Sequence, residues 1–84
     1  MDWLKYSFVI RGKNRKAVLL SLSNPKTPTQ IAEKLKLNLS KVSRALKELE
    51  NEGLIECLTP DEKVGRIYRR TPAGEKVAEM IGSE

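Results

Sequence analysis

Histidine is absent from this chain, and cysteine occurs once, at Cys57. Without histidine there is no Ser-His-Asp arrangement, and with a single cysteine there is no internal disulfide and no usual zinc-finger ligand set. Aromatic residues are scarce: Trp3, Tyr6 and Phe8 stand close together near the start, and only Tyr68 lies elsewhere. No apolar run approaches bilayer-spanning length, and the first residues lack a signal peptide's apolar core and cleavage site. A cytoplasmic protein without membrane contact is expected. Gly-rich phosphate loops and clusters of metal ligands are also missing. Glu48, Glu50 and Glu52 alternate along a helical stretch, so they do not share one face as a carboxylate pair would. An enzyme is therefore not expected, and neither is a cofactor or a metal.

Acidic residues are missing from two stretches. Between Trp3 and Gln30 the only charges are Lys5, Arg11, Lys13, Arg15, Lys16 and Lys26, and no carboxylate lies between Lys34 and Lys47. Across the chain Lys+Arg 16 stand against Asp+Glu 11, a net charge of +5. That bias favours a polyanionic partner. Eighty-four residues suffice for one domain over residues 1–84 with a modest core, which a partner subunit would supplement.

What is present is organised around residues 27–53, TPTQIAEKLKLNLSKVSRALKELENEG. Ile31, Ala32, Leu35 and Leu37 form one short apolar stripe at helical spacing, and Val42, Ala45, Leu46 and Leu49 form a longer one. Thr27, Pro28 and Gln30 make a capping-box opening for the first helix. Asn38 is placed to cap the second, and Gly53 to end it where a left-handed backbone is needed. The outward face of the second helix begins with Ser40, Lys41, Ser43, Arg44 and Lys47, and turns acidic only in its last turns.

On either side the signals are shorter. Residues 3–10 (WLKYSFVI) are compatible with a strand or a helix, and with a flap over the core or a dimer contact. A helix is expected from about 15 to 23, capped by Asn14 and closed by Asn24-Pro25, with Arg15 and Lys16 solvated or meeting phosphate. Residues 54–59 and 66–70 have strand composition around a turn-rich loop, which predicts a hairpin. Cys57 lies in its first run as a small apolar side chain. Thr71-Pro72 opens a last helix with Val77, Ala78 and Ile81 inward and Gly82 at its end.

In that order these blocks resemble a winged helix-turn-helix transcription regulator of the MarR/ArsR-like type, in particular the small archaeal ones. The resemblance is carried by LLSLSNPKTPTQIAEKLKL, NLSKVSRALKELENEGLI and GRIYRRTPAGEKV, over roughly residues 15–81. It implies an α+β, mainly α fold: a three-helix core, a β-hairpin wing and a C-terminal helix. One departure is Arg70, where the family usually has an apolar residue before the Thr-x-x-Gly cap; it points outward to phosphate or covers apolar surface with its stem.

The resemblance further implies sequence-specific binding to double-stranded DNA. The recognition helix, about 39–52, would lie in the major groove, and the wing, about 60–66, on the adjacent backbone or minor groove. Ser40, Lys41, Ser43 and Arg44 would face base edges, and Arg44 has the fork for guanine. Lys47, Thr29 and Gln30 would meet the backbone. Lys63, Arg66, Arg69 and Arg70 belong to the wing and its base. A homodimer is expected through residues 1–12, the 15–23 helix and the helix carrying Val77 and Ile81. The rival reading is a winged helix serving as a protein–protein module in a transcription or replication complex. Exposed Leu39 favours that rival, although it also suits a thymine methyl.

Overall fold

A computed structural model describes residues 3–82. Its elements are α1 (Trp3–Arg11), α2 (Lys13–Ser21), α3 (Pro28–Leu35), α4 (Leu39–Asn51), β1 (Ile55–Cys57), β2 (Tyr68–Arg70) and α5 (Pro72–Gly82). Helices α2, α3 and α4 pack on one another, and α1 and α5 close the far side of α2. The fold class is as the resemblance implies, with an additional helix at the front.

The helix-turn-helix follows from its caps. Gln30 N–H donates to Thr27 Oγ1 at 3.2 Å, and Thr27 N–H donates to Gln30 Oε1 at 2.9 Å, so the expected capping box forms. Asn38 Oδ1 accepts from Lys41 N–H at 2.9 Å and starts α4. Between them the chain turns at Lys36, whose φ of 56° is left-handed. That conformation costs a non-glycine residue roughly 1–2 kcal/mol. The sequence shows no glycine or asparagine there, so the position of this corner was not legible. Leu37 N–H donating to the Ala32 carbonyl helps to hold it.

The second apolar stripe is buried as expected, whereas of the first only Ile31 is, with Ala32, Leu35 and Leu37 packed half-buried against the core. Ile31, Val42 and Leu49 are wholly inaccessible, and Ala45 and Leu46 nearly so. They meet Val18 and Leu19 from α2, Leu22 just after it, and Leu54 from the segment after α4. At about 25 cal/mol per Å² of apolar surface, each large aliphatic side chain contributes roughly 1.5–3 kcal/mol.

Three expectations are corrected. Helix α2 begins at Lys13, with Gly12 as its N-cap, so Asn14 lies inside the helix and caps nothing. It ends at Ser21, because Leu22 leaves helical geometry to enter the core. The strands are shorter than their composition suggests. After Cys57 the Thr59 hydroxyl, not a backbone carbonyl, accepts the Ile67 N–H at 3.0 Å, and the regular ladder stops. Residues 3–10 are helical, and Val9 is buried while Tyr6 and Phe8 pack half-buried against the core.

The end of α4 meets the start of α5 in a tight junction. Gly53 is left-handed (φ 73°), and Leu54 N–H donates to the Leu49 carbonyl. Thr71 Oγ1 donates to the Gly53 carbonyl at 2.6 Å and accepts from Gly74 N–H at 3.1 Å. Thr71 N–H donates to the Leu54 carbonyl. A Cβ on Gly74 would overlap that same carbonyl, which is backbone and has nowhere to go. The hairpin is held from the other side by Lys26, which exchanges backbone hydrogen bonds with Tyr68 at 3.1 and 2.9 Å.

Helix propensity alone predicts that Gly74→Ala stabilises the protein by about 1 kcal/mol. The overlap with Leu54 predicts the reverse, a loss of about 1–3 kcal/mol. Urea unfolding decides between them: the midpoint should fall, and a higher midpoint would show that α5 shifts freely.

Candidate nucleic-acid interface

With Val42, Ala45, Leu46 and Leu49 buried, α4 presents Ser40, Arg44, Lys47 and Asn51 on one outward line, at helical spacings of four, three and four. All four are exposed. To one side of this line lie Ser43 and Glu50, facing the hairpin. To the other lie Lys41, Glu48 and Glu52, the last two facing α1 and α2. Apart from Leu39, the exposed N-terminal half thus carries hydroxyls and cations, and the carboxylates sit behind it.

Local contacts fix several of these groups. Ser40 Oγ donates to Asn38 Oδ1 at 2.9 Å, so its hydroxyl is tied to the cap. Glu48 is engaged by Arg15 at 3.6 Å. Leu39, the first residue of α4, is half exposed. On α3, Thr29 is exposed in the first turn, where backbone amides point outward. The backbone amide and side-chain oxygen of Gln30 are both used by the capping box, which leaves its side-chain NH₂.

The hairpin loop, residues 58–67, is shaped by Arg66 folding back. Its Nε donates to the Glu62 carbonyl at 2.6 Å and its Nη2 to the Pro60 carbonyl at 3.4 Å. Gly65 supplies a left-handed turn (φ 71°). Lys63 and Val64 are left at the tip, and Val64 is 87% exposed. The tip segment also carries Asp61 and Glu62, so it has no net positive charge. Between hairpin and α4 runs an open cleft of roughly 260 Å³ lined by Pro28, Ser43, Leu46, Lys47, Glu50, Arg66 and Tyr68.

Two of the residues placed at the wing base lie apart from this group or are already engaged. Arg70 is only 11% exposed in its side chain and pairs with Glu75 of α5 at 2.9 Å. It therefore covers the β2–α5 corner. Arg69 pairs across the strands with Glu56 at 3.3 Å, about half exposed. Ser40, Lys41, Ser43, Arg44, Lys47, Thr29, Lys63 and Arg66 lie on α4, on the start of α3 and on the hairpin loop. Among the described residues no group of three or more potential metal ligands comes together, and no helix is long and apolar enough to cross a membrane.

Residues 17–56 match a protein family described as winged helix-turn-helix DNA-binding. A MarR family transcription regulator of solved structure is 32% identical over 84% of this chain, with a TM-score of 0.75. This chain has a MarR-like winged helix-turn-helix fold. A mutant of ZitR from Lactococcus lactis superimposes on this winged helix over 86% of the chain, at 27% identity and a TM-score of 0.77. A mutant of MarR from E. coli, solved in complex with operator DNA, does so over 83%, at 27% identity and a TM-score of 0.71. The winged helix spans about half the length of these structures, 49% to 51%. No curated protein sequence matches it.

Sequence reasoning missed two features of this winged helix. Asn51 completes the outward line of α4, and its spacing from Lys47 could have shown it. Arg15 is not a solvated cation: its guanidinium lies over the Phe8 ring, 4.0 Å from the centroid, and donates to the Phe8 carbonyl. No local pattern signals that contact, because it depends on the fold of residues 3–10.

Proposed function

We propose that this chain is a sequence-specific transcription regulator that binds double-stranded DNA, cytoplasmic and acting as a homodimer rather than as an enzyme. Helix α4 enters the major groove, and the wing reaches the adjacent backbone or minor groove. The observation that carries this reading is the exposed front half of α4. Ser40, Arg44 and Lys47 share its outward line, Lys41 and Ser43 flank it, and no carboxylate interrupts it. Arg44 offers a bidentate donor pair to guanine, and Lys41 and Ser43 reach neighbouring base edges. Thr29, Gln30 and Lys47 meet phosphate. At the wing, Lys63 at the tip is the leading contact, with Arg66 shaping the loop and Arg69 nearby. Arg70 contributes least, since Glu75 already holds it.

The dimer reading rests on α1. Its inner face covers the core, while Trp3 and Leu4 are 60% and 85% exposed and Ile10 is partly so. Val77, Ala78 and Ile81 of α5 are buried within the chain, so that helix cannot offer them to a partner. A two-fold pair of winged helices places two recognition helices about 34 Å apart, one turn of duplex.

Selection of bound duplexes from a random pool tests the whole reading: a palindromic motif is expected, and no enrichment would refute it. Binding to the selected site should weaken with salt at a slope of about −4 to −7 in log K against log salt. A slope near zero in anisotropy titrations favours the protein–protein module instead. Arg44→Ala should cost about 1–3 kcal/mol on the selected site and little on random duplex. Equal losses on both would make Arg44 a phosphate contact. Replacing Trp3 and Leu4 together by serine should dissociate the dimer in sedimentation without changing the circular dichroism spectrum. A monomeric wild type at high micromolar concentration, with and without DNA, would sink the dimer.

A further inference from the structure

Helices α1 and α2 hold α4 through one cation each, Lys5 of α1 and Arg15 of α2, and Arg15 is itself fastened to α1. Arg15 Nε and Nη2 donate to the Phe8 carbonyl at 2.9 and 2.6 Å, and its Nη1 lies 3.6 Å from Glu48 Oε1. Its side chain is 19% exposed. Gly12 leaves the space for it: a Cβ there would lie 2.5 Å from Arg15 Nε and 2.6 Å from Cζ. The second cation is Lys5, whose Nζ donates to the Glu52 carbonyl at 2.7 Å. Glu52 is the C-cap of α4, where a positive charge also meets the negative end of the helix dipole.

Glu48 and Glu52 are one turn apart on the same flank of α4, so both ties hold one edge of its C-terminal half. These bonds are charge-assisted and partly buried, which makes them stronger and less screened than surface pairs. The other half of the helix carries Ser40 and Arg44 and projects from this clamp. Ser40 is about 15 Å along the axis from the clamp, at 1.5 Å per residue. A tilt of about 5° at the clamp therefore moves Ser40 by about 1 Å, enough to spoil a well-formed hydrogen bond.

We propose that Lys5 and Arg15 are positioning residues that set the angle of α4 in the major groove, so that α1 and α2 govern sequence discrimination without touching DNA. This inference rests on the reading of α4 as a recognition helix. It also places the dimer-facing side of α1 and the α4-holding side on opposite faces of one short helix.

Two measurements on the full chain test it. Arg15→Lys keeps the charge and removes the planar fork. In anisotropy titrations its affinity for the selected site should fall about tenfold, while affinity for random duplex and the salt slope stay unchanged. Parallel losses on both duplexes, with a flatter slope, would make Arg15 a phosphate contact and overturn the proposal. No loss on either would overturn it too. The second measurement needs no DNA: amide hydrogen exchange in the free protein. Arg15→Lys and Lys5→Met should each speed exchange of residues 48–53 about tenfold relative to α3, whereas Arg11→Gln, at an exposed cation of α1, should not. Unchanged exchange would show that the ties do not hold α4, and the proposal falls. If exchange responds but the wild type selects no duplex, the DNA reading fails instead, and Lys5 and Arg15 are reduced to structural ties.

Discussion

The contact on which the arrangement depends is the approach of Gly74 to the Leu54 carbonyl. It sits where α4 has ended, the first strand is about to begin and α5 starts. Thr71 closes the junction by donating to Gly53 and capping Gly74, while Leu54 is buried beneath it. A side chain at position 74 would push α5 away from the end of α4 and open the core at Leu54 and Val77. The Thr-x-x-Gly sequence is thus a packing requirement as much as a cap. Because both strands leave this junction, it also fixes where the wing stands relative to α4.

The charge on α4 divides by contact rather than by position alone. In its last turns the Glu48 carboxylate receives Arg15, and the backbone carbonyl of Glu52 receives Lys5. Its hydroxyls and cations at the other end bond only within the cap or stand in solvent. One helix is therefore held by its acidic half and exposed by its basic half. The wing differs. Its acids and bases balance, and Arg66 is spent on the loop's own carbonyls. The wing's contribution to any long-range attraction for a polyanion is correspondingly small.

Much of this was legible in the sequence where a side chain acts on its own neighbourhood. The Thr27–Gln30 box, the Asn38 cap, the left-handed Gly53 and the core-facing side of α4 each follow from residues within one or two turns. The family resemblance supplied their order. What could not be read depends on distant segments. Lys36 takes a glycine-like conformation because α3 and α4 must both reach the core. Asn14 loses its cap role because Gly12 already turns the chain. Arg15 looks like a solvated cation until Phe8 and Glu48 are placed beside it, and the two alternatives for Arg70 stay open until Glu75 is. Periodicity could not settle residues 3–10 because so short a stretch satisfies two periods, and burial of Val9 decided it. The candidate contact residues were legible by type and by helical spacing; which of them remained unengaged was not.

The bridge between Lys26 and Tyr68 has a consequence for the order of folding. It joins the loop before α3 to the strand after the wing by two backbone hydrogen bonds, across almost all of the helix-turn-helix. Closing so long a loop brings no return until the intervening helices have collapsed. A bridge of this span is expected to form only after the helices have packed, and the two strands it fastens, three residues each, are the shortest elements among the described residues. Since the bridge is made of main chain, side-chain changes along the hairpin leave it intact, and of all residues only proline removes its donors.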